Sequence, residues 1–168
     1  MSLKIALLAS VSFALIIGGV SLACERNECE GSGTSILIDS DDSKLFLCKS
    51  GKEVGNFRVS FGRGGFGKTK QGDKKTPLGA YSLGNPRPSG SGFKTFIPVG
   101  YPTKSQRAKG YTGGAIGIHG PAREFKFLGP INSTVDWTQG CIAVATDNEI
   151  DVISSWVSEN SVSRVVIQ

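Results

Sequence analysis

The chain contains one histidine, His119, and downstream of it a cysteine in the run Trp137-Thr138-Gln139-Gly140-Cys141-Ile142-Ala143. A cysteine attacks a carbonyl carbon as thiolate, and a neighbouring imidazole is the usual means of forming one at neutral pH. Glycine directly before the cysteine lets a substrate carbonyl approach the backbone closely. The N–H groups of Gly140 and Cys141, with Gln139 beside them, are then candidates for an oxyanion hole. The pattern points to acyl transfer, with Cys141 as nucleophile and His119 as general base and later general acid. Asp136 is a candidate third member of the triad, a cap for the loop or a ligand for a substrate ammonium, and Trp137 and Thr138 are candidate substrate contacts. The competing reading is an inert buried cysteine and a core histidine.

Four segments around this pair decide between the two. They are Gly72-Asp73-Lys74-Lys75-Thr76-Pro77-Leu78-Gly79-Ala80-Tyr81, then Tyr101-Pro102, then Ile116-Gly117-Ile118-His119-Gly120, then Thr138-Gln139-Gly140-Cys141-Ile142. In this order they resemble the L,D-transpeptidase (YkuD-type) catalytic domain of bacterial cell-wall enzymes, over roughly residues 35 to 168. The resemblance implies a mixed β-sandwich, mainly β with one substantial helix. It also implies a backbone carbonyl, here that of Gly120, holding the second nitrogen of the histidine. The implied donor is a peptidoglycan tetrapeptide stem, acylated on Cys141 with loss of D-alanine. Its acceptor would be a stem amine giving a 3-3 cross-link, water, or a lipoprotein amine. Three features depart from the family pattern: Gln139 replaces a histidine, Ala143 stands where Arg or Asn is common, and the loop between the motifs is slightly long. Gln139 and Ala143 favour the alternative of a noncatalytic peptidoglycan-binding module on the same fold.

The rest of the chain is consistent with an exported β protein. With 168 residues and 23 glycines it suits one turn-rich domain. A formal charge of +5 suits an anionic polymer, but no basic cluster interleaved with aromatics indicates nucleic acid. Lys4 followed by the apolar run Ile5 to Ala23 reads as a signal peptide over residues 1–23, with small Ser21 and Ala23 at the cleavage positions. A retained anchor or a lipidated Cys24 would be the membrane-bound alternatives, and all three place the domain in the periplasm or cell envelope. Residues 24–34 form a polar arm ahead of a catalytic domain over 35–168. Reserving Cys141 for chemistry leaves three cysteines, of which Cys29 and Cys48 are the favoured pair. No metal-ligand spacing or cofactor motif is present.

Hydrophobic period and turn residues predict the elements. Ile36 to Ile38 reads as a short strand and Lys44 to Lys49 with Val54 to Phe61 as a β-hairpin, with turns at Asp39 to Asp42 and at Ser50-Gly51-Lys52. Gly62 to Thr69 satisfies the P-loop expression, yet the continuation through Gly72 and Pro77 permits no helix to start at Lys68-Thr69, so nucleotide binding is not expected. Strands are expected at Ala80 to Leu83, Phe93 to Val99, Ala115 to His119, Ile142 to Val144 and Arg164 to Gln168, with a loop over Asn85 to Gly92. Gly120 to Trp137 reads as an irregular loop, either a cover over the substrate or a surface excursion. Thr146 and Glu149 form a capping box opening a helix whose core stripe is Ile150, Ile153, Trp156 and Val157.

Overall fold

The computed structural model describes residues 28–31, 33–90 and 92–168. The expected leader, Cys24 and the start of the polar arm lie outside them. Nine strands form one sheet: β1 Ser35–Asp39, β2 Lys44–Lys49, β3 Lys52–Ser60, β4 Gly79–Ser82, β5 Arg87–Pro88, β6 Thr95–Pro98, β7 Gly117–His119, β8 Ile142–Val144 and β9 Arg164–Ile167. Their spatial order is β4-β9-β1-β2-β3-β8-β7-β6-β5. The long strand β3 belongs to both halves, pairing with β2 through Lys52 to Arg58 and with β8 through Val59 and Ser60. The sheet therefore curls, and a bridge between Leu83 and Val99 brings the end of edge strand β4 against the end of β6. The mainly β architecture read from the sequence is the one observed.

Alternation explains how the curled sheet closes on one core. Leu45 and Leu47 of β2 face inward with Ile36, Ile38, Val59, Ile118, Ile142 and Ile167. Phe46 and Cys48 point the other way and pack with Cys29 and Leu37. Cys29 and Cys48 form a disulfide that fastens the N-terminal segment over this second face. The β2–β3 turn is tight because Ser50 (φ 52°) and Gly51 (φ 74°) both adopt left-handed backbone.

Helix α2, Asp147–Glu159, begins at the capping box of Thr146 and Glu149. It buries Ile150, Ile153 and Val157; Trp156 is only partly buried at the core's margin. Three elements were not foreseen: strand β5, which lies within the expected loop over Asn85 to Gly92, and two helical segments. Helix α1, Lys104–Ala108, starts at a capping box of Thr103 and Gln106, and a broken 3₁₀ segment, Arg123–Ser133, occupies the expected irregular loop. It breaks at Gly129, whose φ of 53° and ψ of −129° precede Pro130. Among the described residues no helix is long and apolar enough to cross a membrane.

The bridge closes a loop with a sequence separation of 19. Constraining that loop in the unfolded chain stabilises the fold by about 3 kcal/mol. We expect the Cys29→Ser/Cys48→Ser double variant to lose about that much unfolding free energy in urea titrations.

Candidate active site

Parallel pairing of β7 with β8 brings the two candidate residues together. Ile118 pairs with Ile142 and His119 with Ala143, and the two isoleucines point into the core. His119, Ala143 and the residue preceding Ile142, which is Cys141, therefore face the opposite side of the sheet. His119 and Cys141 line one cleft of about 270 Å³ with Phe93, Trp137, Thr138 and Gln139. Cys141 also lines a second cleft of about 300 Å³, bounded by Arg87, Ser89, Phe96 and Ala115. Phe93 borders both.

His119 is held on three sides. Its ring stacks on Phe93 with centroids 3.8 Å apart and meets the Trp137 ring edge-on at 5.8 Å. Its Nδ1 lies 2.7 Å from the Gly120 carbonyl oxygen. A carbonyl only accepts, so Nδ1 carries the proton and Nε2 the free lone pair. Burial pulls the imidazole pKa down to about 4, against a smaller opposing pull from the Gly120 carbonyl. The residue is 1% exposed, and the ring is neutral at physiological pH.

Cys141 is held differently. Its Sγ is 3.4 Å from the Ala115 carbonyl, on a residue whose φ of 54° is unusual outside glycine. Burial pushes the thiol pKa above its ordinary value, outweighing the backbone of Gly117 and the charge of Lys68. The resting pair is neutral thiol and neutral imidazole, where activation by the histidine suggested a preformed thiolate.

The turn before Cys141 is closed by Thr138. Its hydroxyl accepts from the Gly140 N–H at 3.0 Å and donates to the Cys141 carbonyl at 2.7 Å. Two expectations change here. The Gly140 N–H points into the turn and not toward an incoming carbonyl, and the Thr138 hydroxyl is committed inside the protein. Gly140 is required for another reason: at φ 124°, a Cβ there would lie 2.5 Å from the Lys75 carbonyl. The turn is pressed against the segment that follows Asp73.

Asp136 takes a structural place as well, its Oδ1 accepting from the Phe61 N–H at 2.8 Å. The imidazole nitrogen it would have oriented is occupied by Gly120. The Trp137 indole donates to the Asn132 carbonyl, which also accepts from Ser60. The Asn132 side chain bonds the carbonyls of Phe125 and Ala145. Asn132, Asp136 and Trp137 thus pin the loop to the sheet. Gln139 is exposed and lines the cleft beside His119.

The P-loop-like stretch contains no helix after Lys68. The Lys68 ammonium is instead 2.7 Å from Asp73 and also donates to the Lys70 carbonyl. Burial acts to raise the Asp73 pKa, but Lys68 and the N–H groups of Lys70, Thr69 and Lys75 prevail and hold the carboxyl well below its usual range. The sequence did not single out Phe93, Ala115 or Lys68 as residues of the site. Of these, only Lys68, with Asp73 five residues on, left a legible charge pair.

The fold sets the single histidine and a free cysteine in one cleft of a curled sheet. The chain matches the YkuD family, the L,D-transpeptidase catalytic domain, over residues 33–167, and it belongs to that family. It is 30% identical over 145 residues to YafK of Escherichia coli, a protein named as an L,D-transpeptidase, covering 80% of this chain and 59% of YafK. The chain therefore spans under two thirds of that relative. Its fold is similar to the helical cell shape determining protein Pgp2 from Campylobacter jejuni, with a TM-score of 0.63 and 25% identity over 79% of this chain and 46% of Pgp2. It is also similar to Bd1075 from Bdellovibrio bacteriovorus, with a TM-score of 0.56 and 17% identity over 80% of this chain and 46% of Bd1075.

Removing the Asp73 charge leaves the Lys68 ammonium, with a side chain 4% exposed, unpaired. Asp73→Asn should cost about 3–5 kcal/mol at pH 7. Because the folded pKa is depressed, this stabilisation is complete above the ordinary carboxylate range and is lost as pH falls through it toward the lowered value. Denaturant titrations should show the gap between wild type and variant narrowing from pH 7 to pH 3.

Proposed function

We propose that this chain is an extracytoplasmic L,D-transpeptidase that acylates Cys141 with a peptidoglycan tetrapeptide stem. The observation that carries the reading is the single imidazole, with Nδ1 bound to a carbonyl and Nε2 left as base in a cleft shared with the one free thiol among the described residues. Cys141 Sγ attacks the carbonyl carbon of the third stem residue as its proton passes to His119 Nε2. Negative charge on the carbonyl oxygen is received by the N–H groups of Cys141 and Gln139, since that of Gly140 is engaged. The intermediate collapses, the C–N bond breaks, and the D-alanine nitrogen takes the proton from Nε2. An imidazolium with so low a pKa is a strong acid, which favours this step. An amine or water then attacks the thioester by the reverse path.

The neutral resting pair makes thiol deprotonation part of the attack and not a step before it. Cys141→Ala should abolish D-alanine release, and His119→Ala should slow acylation by about 10²- to 10⁴-fold. Raising the pH to form thiolate directly should recover part of the His119→Ala rate. His119 stays a base down to about pH 4, so the acid limb of the wild-type acylation rate should fall near pH 4 and not near 6.5. Intact-protein mass spectrometry with a tetrapeptide donor reads each rate. Sacculus digestion followed by muropeptide masses distinguishes 3-3 cross-links, trimmed stems and a lipoprotein adduct. No adduct on wild type would leave the noncatalytic wall-binding module as the function.

A further inference from the structure

We infer that Arg87 is a specificity residue that binds a free carboxylate on the acyl portion of the donor stem; this rests on the proposed function above. Arg87, Phe96, His119 and Ala143 form one cross-strand row over four adjacent strands. At about 4.8 Å per strand spacing, β5 and β8 lie about 14 Å apart, a gap that an arginine side chain and one extended substrate side chain together fill.

An aromatic ring lies in the space between. The Arg87 guanidinium lies 5.7 Å from the centre of the Phe96 ring. That ring in turn lies across Gly117, where a Cβ would come within 2.3 Å of it. Continuing the β7–β8 register by one residue places Gly117 beside Cys141. From Cys141 outward, the cleft therefore runs across the phenyl ring that covers Gly117 to a guanidinium. Arg87 is exposed, and among the described residues no carboxylate pairs with it. Ala143 adds no charge to the row.

Chemistry assigns the two clefts. His119 must reach the leaving nitrogen, so the leaving D-alanine occupies the cleft with Trp137 and Gln139. The Arg87 cleft then takes the part of the stem that stays on Cys141. Methylenes of a side chain crossing Phe96 and a carboxylate at its end fit this sequence of surfaces, as a meso-diaminopimelate residue at the third position would. The carboxylate of a γ-linked D-glutamate at the second position has the same chemistry. A guanidinium binds either through two parallel N–H···O bonds.

The test measures kcat/KM for D-alanine release from three tetrapeptides: the free diaminopimelate stem, the same stem amidated on the distal carboxylate, and one with D-isoglutamine at the second position. Arg87→Gln should lower kcat/KM on the free stem about 10- to 100-fold, with Arg87→Lys losing less. The penalty should vanish on whichever amidated stem lacks the recognised carboxylate, which names its source. An equal penalty on all three stems, or none on any, would overturn the assignment. If wild type releases no D-alanine, alkylation of Cys141 by 4-maleimidobutanoate and by its amide, read by peptide mass, decides alone. A fall in the acid-to-amide rate ratio in Arg87→Gln would uphold the anion site while the proposed function fails. An unchanged ratio would overturn the anion site as well.

Discussion

The hydrogen bond from His119 Nδ1 to the Gly120 carbonyl is the constraint on which the site depends. It sets the tautomer, and so decides which nitrogen is basic, without any acidic residue. The arrangement requires the backbone to turn directly after β7, and Gly120 allows helix α2 to come close at that point. A Cβ on Gly120 would lie 3.1 Å from the Ile150 side chain and 3.2 Å from Asp147. The helix thus backs the carbonyl that orients the base, while Phe93 and Trp137 fix the plane of the ring. Core packing and the orientation of the ring here share the same atoms.

The electrostatics follow from burial more than from charge. Lowering the imidazole pKa from 6.5 to about 4 disfavours the imidazolium by about 3 kcal/mol. The thiolate is disfavoured by the same exclusion of water, and Lys68 offsets this only in part because Asp73 holds its ammonium. Neither charged partner accumulates at rest. In the proposed acylation, charge would arise only when a bound carbonyl gives it somewhere to go.

Much of this was legible in the residues. The β2–β3 hairpin, the Thr146–Glu149 cap and the alternation that separates Leu45 and Leu47 from Phe46 and Cys48 all follow from local pattern, and each appears as read. The family resemblance rested on short motifs, and the matched family is the one they indicated. What was not legible depends on contacts far apart in sequence. The reason for Gly140 is the Lys75 carbonyl, and nothing local to residue 140 reveals it. Strand β5 has two residues and contains a proline, so it gains its place only by pairing with β6. Asn132 ties the loop to Ala145 and Phe125, and nothing local to residue 132 reveals it. Helix α1 was within reach, since Thr103 and Gln106 carry the spacing of a capping box. The P-loop expression misled as a pattern and was rejected on context, and the ion pair of Lys68 with Asp73 shows where that lysine is used.

Because the chain has a single histidine, one spectrum examines the central constraint. Protein labelled with ¹⁵N-histidine should show one imidazole, protonated on Nδ1 at neutral pH and titrating near pH 4. Protonation on Nε2, or titration near the ordinary value of 6.5, would contradict the account of His119 as an oriented, desolvated base.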